Sequence, residues 1–335
     1  MLETARGGTL RRGLGYDWTD VGVLTNITAD HLGQDGLASI EDIAHVKALI
    51  AERVRDGGTL VLNADDPWVR SLVDRPRVRA DRKRIVWFSA DPRNPLVVAH
   101  LGKGGMAYLL EDGWLVQATG ARRTPLVRMA EVPGAYGGAA PYAAANALAA
   151  IAAARALGAP QQTVVERLSA FDPGVHNPGR GTLLRRGDVS LFVDYAHNPA
   201  ALAAVLRTLH RLWGTGRCLA TVTLPGDRRD DLLAACAQVI ADGVNRVVLY
   251  PDGDLRGRAP GEVPALVERE MRARRPALHA VRTGDYRAAV EAALRLALPG
   301  DVVLVLYEKL EPMMAALSDL GAVPACAGPV ALVRS

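Results

Sequence analysis

The sequence predicts an α/β protein of two domains, each layered around a largely parallel sheet. Short apolar runs alternate with amphipathic helical segments at both ends of the chain, the rhythm of strand, helix, strand units. Polar clusters fall where those strands end, the place where parallel sheets collect their ligands. A turn-rich joint, Asp172-Pro-Gly and Asn177-Pro-Gly, interrupts the pattern near the middle and divides the 335 residues into domains 1–173 and 174–335.

Taken in order, Val21-Gly-Val-Leu-Thr-Asn26 reads as a buried strand ending in a polar loop. Residues 39–55 read as a helix. Ser39 is placed to cap it with Asp42 three residues on, and Ile43, Val46, Leu49, Ile50 and Val54 recur at helical spacing. Gly57-Gly58 is expected to stop that helix before a second buried strand, Thr59-Leu-Val-Leu-Asn63. From 84 to 130 the texture changes. Ile85–Phe88, Leu96–Ala99, Met106–Leu110, Trp114–Val116 and Leu126–Met129 read as short strands split by glycine turns, which suggests an antiparallel appendage. Pro141–Leu157 is an alanine-rich helix with one polar interior residue, Asn146. Past the joint, strands are expected at Leu191–Asp194, Cys218–Leu224, Arg246–Tyr250 and Val302–Leu306, with helices at 199–213, 229–242, 261–273 and 285–297.

Composition excludes several classes. Half the residues are apolar and 23% charged, which fits a filled core rather than disorder. The net charge of +4 is too small a surplus over this length to indicate nucleic acid. Lysine occurs only at 47, 83, 103 and 309, so nearly all positive charge is arginine. Cys218, Cys236 and Cys326 are too few and too scattered for a disulfide framework or zinc site. No apolar run reaches the ~18 residues that span a bilayer, and the N-terminus has no signal pattern, so a cytoplasmic, non-membrane protein is expected.

Four places could carry chemistry. A Gly-x-x-x-x-Gly-Lys-Ser/Thr phosphate loop is absent from the sequence, as is a dinucleotide Gly-x-Gly-x-x-Gly at a strand-to-helix turn. Glu3, Asp30, His31 and Lys47 lie at or near strand ends or on the following helix. A carboxylate and an imidazole there suit a divalent cation, magnesium where phosphate is present, or an ordinary hydrogen-bonded pair. Asp194-Tyr-Ala-His-Asn-Pro199 closes a buried strand and opens a helix at Pro199, so Asp194 and His197 are placed either for ribose and phosphate or for capping. Pro225-Gly-Asp-Arg-Arg-Asp230 repeats that arrangement. Its arginines, with Arg256 and Arg258, either grip carboxylates or pair with the neighbouring acids.

Together these segments resemble the Mur ligase superfamily, and within it the C-terminal ligase half of the cyanophycin synthetase family. The residues that carry the likeness are Leu2-Glu-Thr-Ala-Arg-Gly-Gly-Thr-Leu-Arg-Arg-Gly-Leu14, Thr25-Asn-Ile-Thr-Ala-Asp-His31, Leu62-Asn-Ala-Asp-Asp-Pro67 and Asn146-Ala-Leu-Ala-Ala150. Pro178-Gly-Arg180, Asp194–Pro199, Gly226-Asp-Arg-Arg-Asp230 and Asp254-Leu-Arg-Gly-Arg258 continue it, so it runs from residue 2 to about 315. The resemblance implies a Mur-type central sheet domain followed by a Rossmann-like C-terminal domain. It implies an ATP- and Mg2+-dependent ligase in which a carboxylate is phosphorylated and an amine attacks the acyl phosphate. Glu3 and His31 are then expected to hold the metal, and Lys47 falls where many Mur ligases carry a carbamylated lysine. Asn146 is expected at adenine, with Arg180, Asp194 and His197 at ATP. The implied partners are free arginine and an aspartate-rich acceptor, giving multi-L-arginyl-poly-L-aspartate, and a homo-oligomer in the full-length family.

In that family a phosphate loop and its strand precede the Glu-Thr-Ala-Arg segment, and a separate ATP-grasp half extends the backbone. This chain begins at that segment. The central sheet is therefore expected to be incomplete at its N-terminal edge, and the isolated chain incompetent for ligation. Two alternatives remain: a non-catalytic module that binds a partner or the acceptor polymer, or another Mur-type ligase such as a folylpolyglutamate synthase.

Overall fold

The computed structural model describes residues 1–29 and 32–325, and these divide into two units, Met1–Ala170 and Phe171–Ser335. The first contains α1 (Arg6–Arg12), β1 (Thr19–Leu24), α2 (Ile40–Glu52), β2 (Val54–Asn63), α3 (Pro67–Arg70), β3 (Arg84–Ser89) and α4 (Pro95–Gly102). It continues with β4 (Met106–Glu111), β5 (Trp114–Thr119), β6 (Arg122–Arg128), α5 (Pro141–Ala156) and α6 (Gln161–Ser169). Its six strands form one sheet in the order β1-β2-β3-β4-β5-β6. β1 to β4 run parallel, and β5 and β6 return antiparallel.

The antiparallel appendage expected over 84–130 is thus corrected. β3 and β4 continue the parallel sheet, and antiparallel pairing is confined to β4–β5 and β5–β6. Leu96–Ala99 is likewise not a strand but the body of α4. Asn94 caps that helix by accepting from the Leu96 amide, and Pro95 occupies its first position. Val97 and Leu101, four apart, bury one face. A cap plus a proline outweighs the strand preference of two adjacent valines.

Gly57-Gly58 does not end α2, which stops at Glu52. The pair lies within β2, where the register with β1 jumps from Thr19–Val54 to Val21–Thr59. A Cβ on Gly58 would meet the Asp20 and Arg55 carbonyl oxygens at 2.9 Å, so only glycine fits that close approach. The cap of α2 forms as the spacing predicts. Ser39 Oγ accepts from the Asp42 amide, and the Asp42 carboxylate accepts from the Ser39 and Ala38 amides. Ile43, Ala44, Val46, Ala48 and Ala51 turn inward and join a core with Leu60, Leu62 and Trp87. On the other face Val61, Phe88 and Tyr108 pack with the alanines of α5.

The second unit contains α7 (Pro173–His176), β7 (Arg180–Arg186), β8 (Val189–Asp194), α8 (Pro199–Trp213), β9 (Cys218–Val222), α9 (Asp230–Gly243), β10 (Arg246–Leu249) and α10 (Glu262–Arg274). It ends with β11 (His279–Arg282), α11 (Tyr286–Leu296), β12 (Val302–Leu306), α12 (Leu310–Asp319) and β13 (Val323–Pro324). Its sheet order is β11-β10-β9-β12-β8-β7-β13. The first five are parallel, and β7 and β13 add on antiparallel. β8, β9 and β12 lie in the middle and read as nearly unbroken apolar runs, as strands covered on both faces must. Cys218 and Cys236 are buried free thiols, and Cys326 lies outside the described residues. Among the described residues, no helix is long and apolar enough to cross a membrane.

Candidate functional site

In the second unit the site residues gather at the carboxyl end of β8. Asp194 is its last residue and is 8% exposed. Arg180, the first residue of β7, stands opposite it across the antiparallel pair. The register then slips between Arg180 and Thr182, leaving Gly181 as a bulge at φ +73°. That bulge aims the Gly181 amide at the Asp194 carboxylate, and the Ala196 amide reaches it from the other side. Burial nevertheless dominates and pushes the Asp194 carboxyl up to about 6, with Arg180, the two amides and His197 pulling the other way.

The Arg180 guanidinium lies 4.8 Å from the centre of the Tyr195 ring, a cation–π contact. Tyr195 in turn packs on His197 and Tyr307, with ring centres 4.7 and 5.3 Å away. His197 Nδ1 lies 2.8 Å from the Tyr195 carbonyl oxygen, which leaves the far edge of the imidazole directed away from that contact. Capping of α8 falls to Asn198, whose Oδ1 accepts from the Ala201 amide. Asp194 is thereby free of the capping duty its position suggested.

Tyr307 carries no local signal in the sequence. Its hydroxyl donates to the Gly179 carbonyl at 2.9 Å and fixes the turn that launches Arg180. Gly179 sits at φ +78°, and a Cβ there would lie 2.3 Å from that hydroxyl oxygen. A glycine on each side of Arg180 was the one readable sign of this arrangement. The tyrosine lies 128 positions away, where no local pattern reaches.

The arginines next to this strand end are occupied. Arg256 pairs with Asp227 at 3.0 Å and with Glu308. Arg258 pairs with Asp230 and Glu262 and donates to the Gly226 and Arg228 carbonyls. Arg229 pairs with Asp231. The two polar loops are therefore clasped to one another, and a Cβ on Gly226 would press on the Leu255 carbonyl at 2.5 Å. Burial, then the charge of Asp252, raises the Glu308 carboxyl.

In the first unit the loop after β1 is held from three sides. Asn63 donates to the Thr25 carbonyl at 2.7 Å, Lys47 to the Asn26 carbonyl at 3.1 Å, and the Asp66 carboxylate accepts from the Ile27 amide at 2.9 Å. Asp66 also caps α3 through the Trp68 and Val69 amides, while Asp65 accepts from Ser89, Ala90 and Asn94. The Asn63–Asp66 cluster is thus a brace for three strand ends. Lys47, on α2, points its ammonium at the same loop.

Glu3 is exposed ahead of α1, and Asn146 is exposed on α5. Asp30 and His31 lie outside the described residues. Arg6, three positions after Glu3, bonds to Gln34 and Asp35, which follow His31 by three and four positions. Among the described residues no three His, Cys, Asp or Glu side chains converge as a metal cluster. Magnesium that travels on a nucleotide needs only one or two protein carboxylates beside phosphate and water, so Glu3 fits that donor chemistry.

A profile of the Mur ligase middle domain matches residues 13–154, and one of the Mur ligase glutamate ligase domain matches 179–306. The chain therefore belongs to the Mur ligase superfamily, with its middle and C-terminal domains in that order. Its sequence is similar to the cyanophycin synthetases of Trichormus variabilis (35% identical over 92% of this chain) and Synechocystis (38% over 80%). It spans about a third of the length of these relatives, 34% and 30%. The fold matches that of the bifunctional folylpolyglutamate synthase/dihydrofolate synthase of Yersinia pestis, solved with AMPPNP and Mn. The TM-score is 0.63 at 21% identity, covering 90% of this chain and 62% of that one.

Proposed function

We propose that this chain carries the ligase chemistry of the cyanophycin synthetase type, joining arginine to aspartate side-chain carboxylates at the expense of ATP. The observation that carries the reading is the strand end at Asp194, with Arg180 beside it and His197 following, in a chain so similar to cyanophycin synthetases. ATP with its magnesium would supply the phosphoryl group that makes a carboxylate an electrophile.

The roles of the chain's own residues follow from their chemistry. Arg180, steadied over Tyr195, offers a guanidinium to phosphate. Asp194, acceptor-only when ionised, suits ribose hydroxyls. His197 stands next along the same turn. In the first unit Glu3 and His31 are assigned to the metal, Asn146 to adenine, and Lys47, whose ammonium donates to the Asn26 carbonyl, to the place of the family's carbamylated lysine. Solved relatives of this fold bind AMPPNP or ADP, and one binds Mn, which supports a nucleotide and a divalent ion here.

The sequence contains no Gly-x-x-x-x-Gly-Lys-Ser/Thr loop to cradle the phosphates. The chain alone is thus expected to bind Mg-ATP weakly and to release no phosphate above background. Calorimetry with Mg-ATP, on the chain and on Arg180→Ala, tests the site: binding that the substitution weakens about tenfold supports it, and equal binding refutes it. A phosphate-release panel on a longer protein containing this chain tests the substrate. Dependence on arginine with a polyaspartate acceptor is expected, and dependence on glutamate would assign a folate-type ligase instead.

A further inference from the structure

Arg180 is held at both ends, and Tyr307 takes part in each hold. The backbone of Arg180 closes a turn over 177–180, its amide donating to the Asn177 carbonyl at 3.2 Å and the Gly179 amide donating to the Thr182 hydroxyl at 2.8 Å. Those bonds set the shape of the turn. The Tyr307 hydroxyl, donating to the Gly179 carbonyl, ties the turn to the end of β12, which lies two strands away across β8. At its far end the Arg180 guanidinium lies over the Tyr195 ring, and Tyr195 packs on Tyr307. The contacts therefore close a circuit from Tyr307 through Gly179, Arg180 and Tyr195 back to Tyr307. Tyr307 is buried in the core of the second unit. Burial pushes its hydroxyl up to about 12, so it stays protonated, and a donor, at neutral pH.

We infer that Tyr307 is a positioning residue: by fixing the backbone and the aromatic seat of Arg180 together, it sets how well that guanidinium meets a nucleotide phosphate. This deepens the proposed function and rests on its nucleotide site. A free arginine side chain has many rotamers, and a guanidinium fixed before binding loses less freedom on meeting an anion. Gly179 and Gly181, both at positive φ, leave the chain on each side of Arg180 locally permissive, so a tie from outside the turn has something to restrain. Tyr250 supplies the contrast. It is buried in the same core and donates to the Leu306 carbonyl at 2.6 Å, a bond of the same kind that ends on a strand residue of β12 rather than on the turn.

The test compares Tyr307→Phe, which keeps the ring and removes the hydroxyl, with Tyr250→Phe, which removes a like bond from the same core. Gly179→Ala attacks the contact from the other side, since its Cβ would collide with the Tyr307 hydroxyl oxygen. Circular dichroism checks the fold of each. The first readout is the side-chain Nε–Hε NMR signal of Arg180 in the intact chain without nucleotide, assigned by its loss in Arg180→Lys and displaced by the ring current of Tyr195. Tyr307→Phe and Gly179→Ala are expected to move it toward the position of free arginine, and Tyr250→Phe to leave it in place. The second readout is Mg-ATP affinity by calorimetry. Tyr307→Phe is expected to weaken binding about threefold to fivefold and Tyr250→Phe to leave it unchanged. The double variant Tyr307→Phe/Arg180→Ala is expected to bind no more weakly than Arg180→Ala, because a residue acting through another adds nothing once that other is gone. An unmoved signal in Tyr307→Phe, equal affinity losses in the two phenylalanine variants, or additive losses in the double variant would each overturn the inference. A displaced signal beside Mg-ATP binding that Arg180→Ala leaves unchanged would instead refute the nucleotide reading and keep Tyr307 as the residue that positions Arg180.

Discussion

At Asp194 two opposing forces meet in one side chain. Burial raises its carboxyl to about 6, while Arg180 and two backbone amides favour the anion. The raised value means that the folded state holds its proton longer than the unfolded chain, whose carboxyl titrates near 3.8. Below that value the group is protonated in both states and costs nothing. Between about pH 4 and 6 stability falls as pH rises, and above 6 the penalty is complete, about 3 kcal/mol for two pKa units. Acids with lowered values, such as Asp42 and Glu262, act in the opposite sense, so the useful quantity is a difference. Wild type minus Asp194→Asn, followed by denaturant unfolding from pH 4 to 7, is expected to decline through that window and then level. A flat difference would mean that the site is wetter than its geometry indicates. Such a carboxylate carries its full charge only above about pH 6, so any nucleotide affinity it supplies should rise over the same range.

Among elements, the turn from β2 into α3 shows how one residue can serve two purposes. Asp66 caps α3 with one oxygen and holds the Ile27 amide with the other. Ile27 is 2% exposed, so removing the acceptor leaves a buried donor unpaired. Asp66→Ala is expected to destabilise the first unit by about 2–3 kcal/mol, combining a lost cap with that orphan amide. Hydrogen exchange should show it as faster exchange at both Ile27 and Trp68; protection unchanged at Ile27 would break the proposed link between the two loops. The cap joins residues two and three positions apart, whereas the second bond depends on β1 lying beside β2. The same contrast explains α4. Its Asn-Pro start was present in the sequence, but the adjacent valines suggested a strand until the cap was weighed against them.

For the molecule as a whole, the two sheets have separate cores, one set around Ile43, Leu60 and Phe88 and another around Leu191, Val248 and Val303. Residues 171–335 expressed alone are therefore expected to unfold cooperatively in urea, since a domain with its own core folds by its own burial. A featureless, gradual transition would refute this. The alternation of strands and helices, the capping box at Ser39, the helix opened by Pro199 and the strand-end polar clusters were all legible, because each is a matter of near neighbours and of period. The expected antiparallel appendage holds for β4–β5–β6 and fails at β3 for a physical reason: β3 and β4 are individually ordinary strands, and their direction is set by which strand they lie against.

The strand–helix alternation, the cap at Ser39 and the membership of the superfamily are all written in short segments. That Tyr307 steadies the turn before Arg180, that the Gly181 bulge faces Asp194, and that Arg256 and Arg258 are taken by neighbouring acids depends on the assembled fold. Those contacts join residues up to 128 positions apart. They follow from sheet order and register, which arise from burying whole faces together and which no local pattern of side chains encodes.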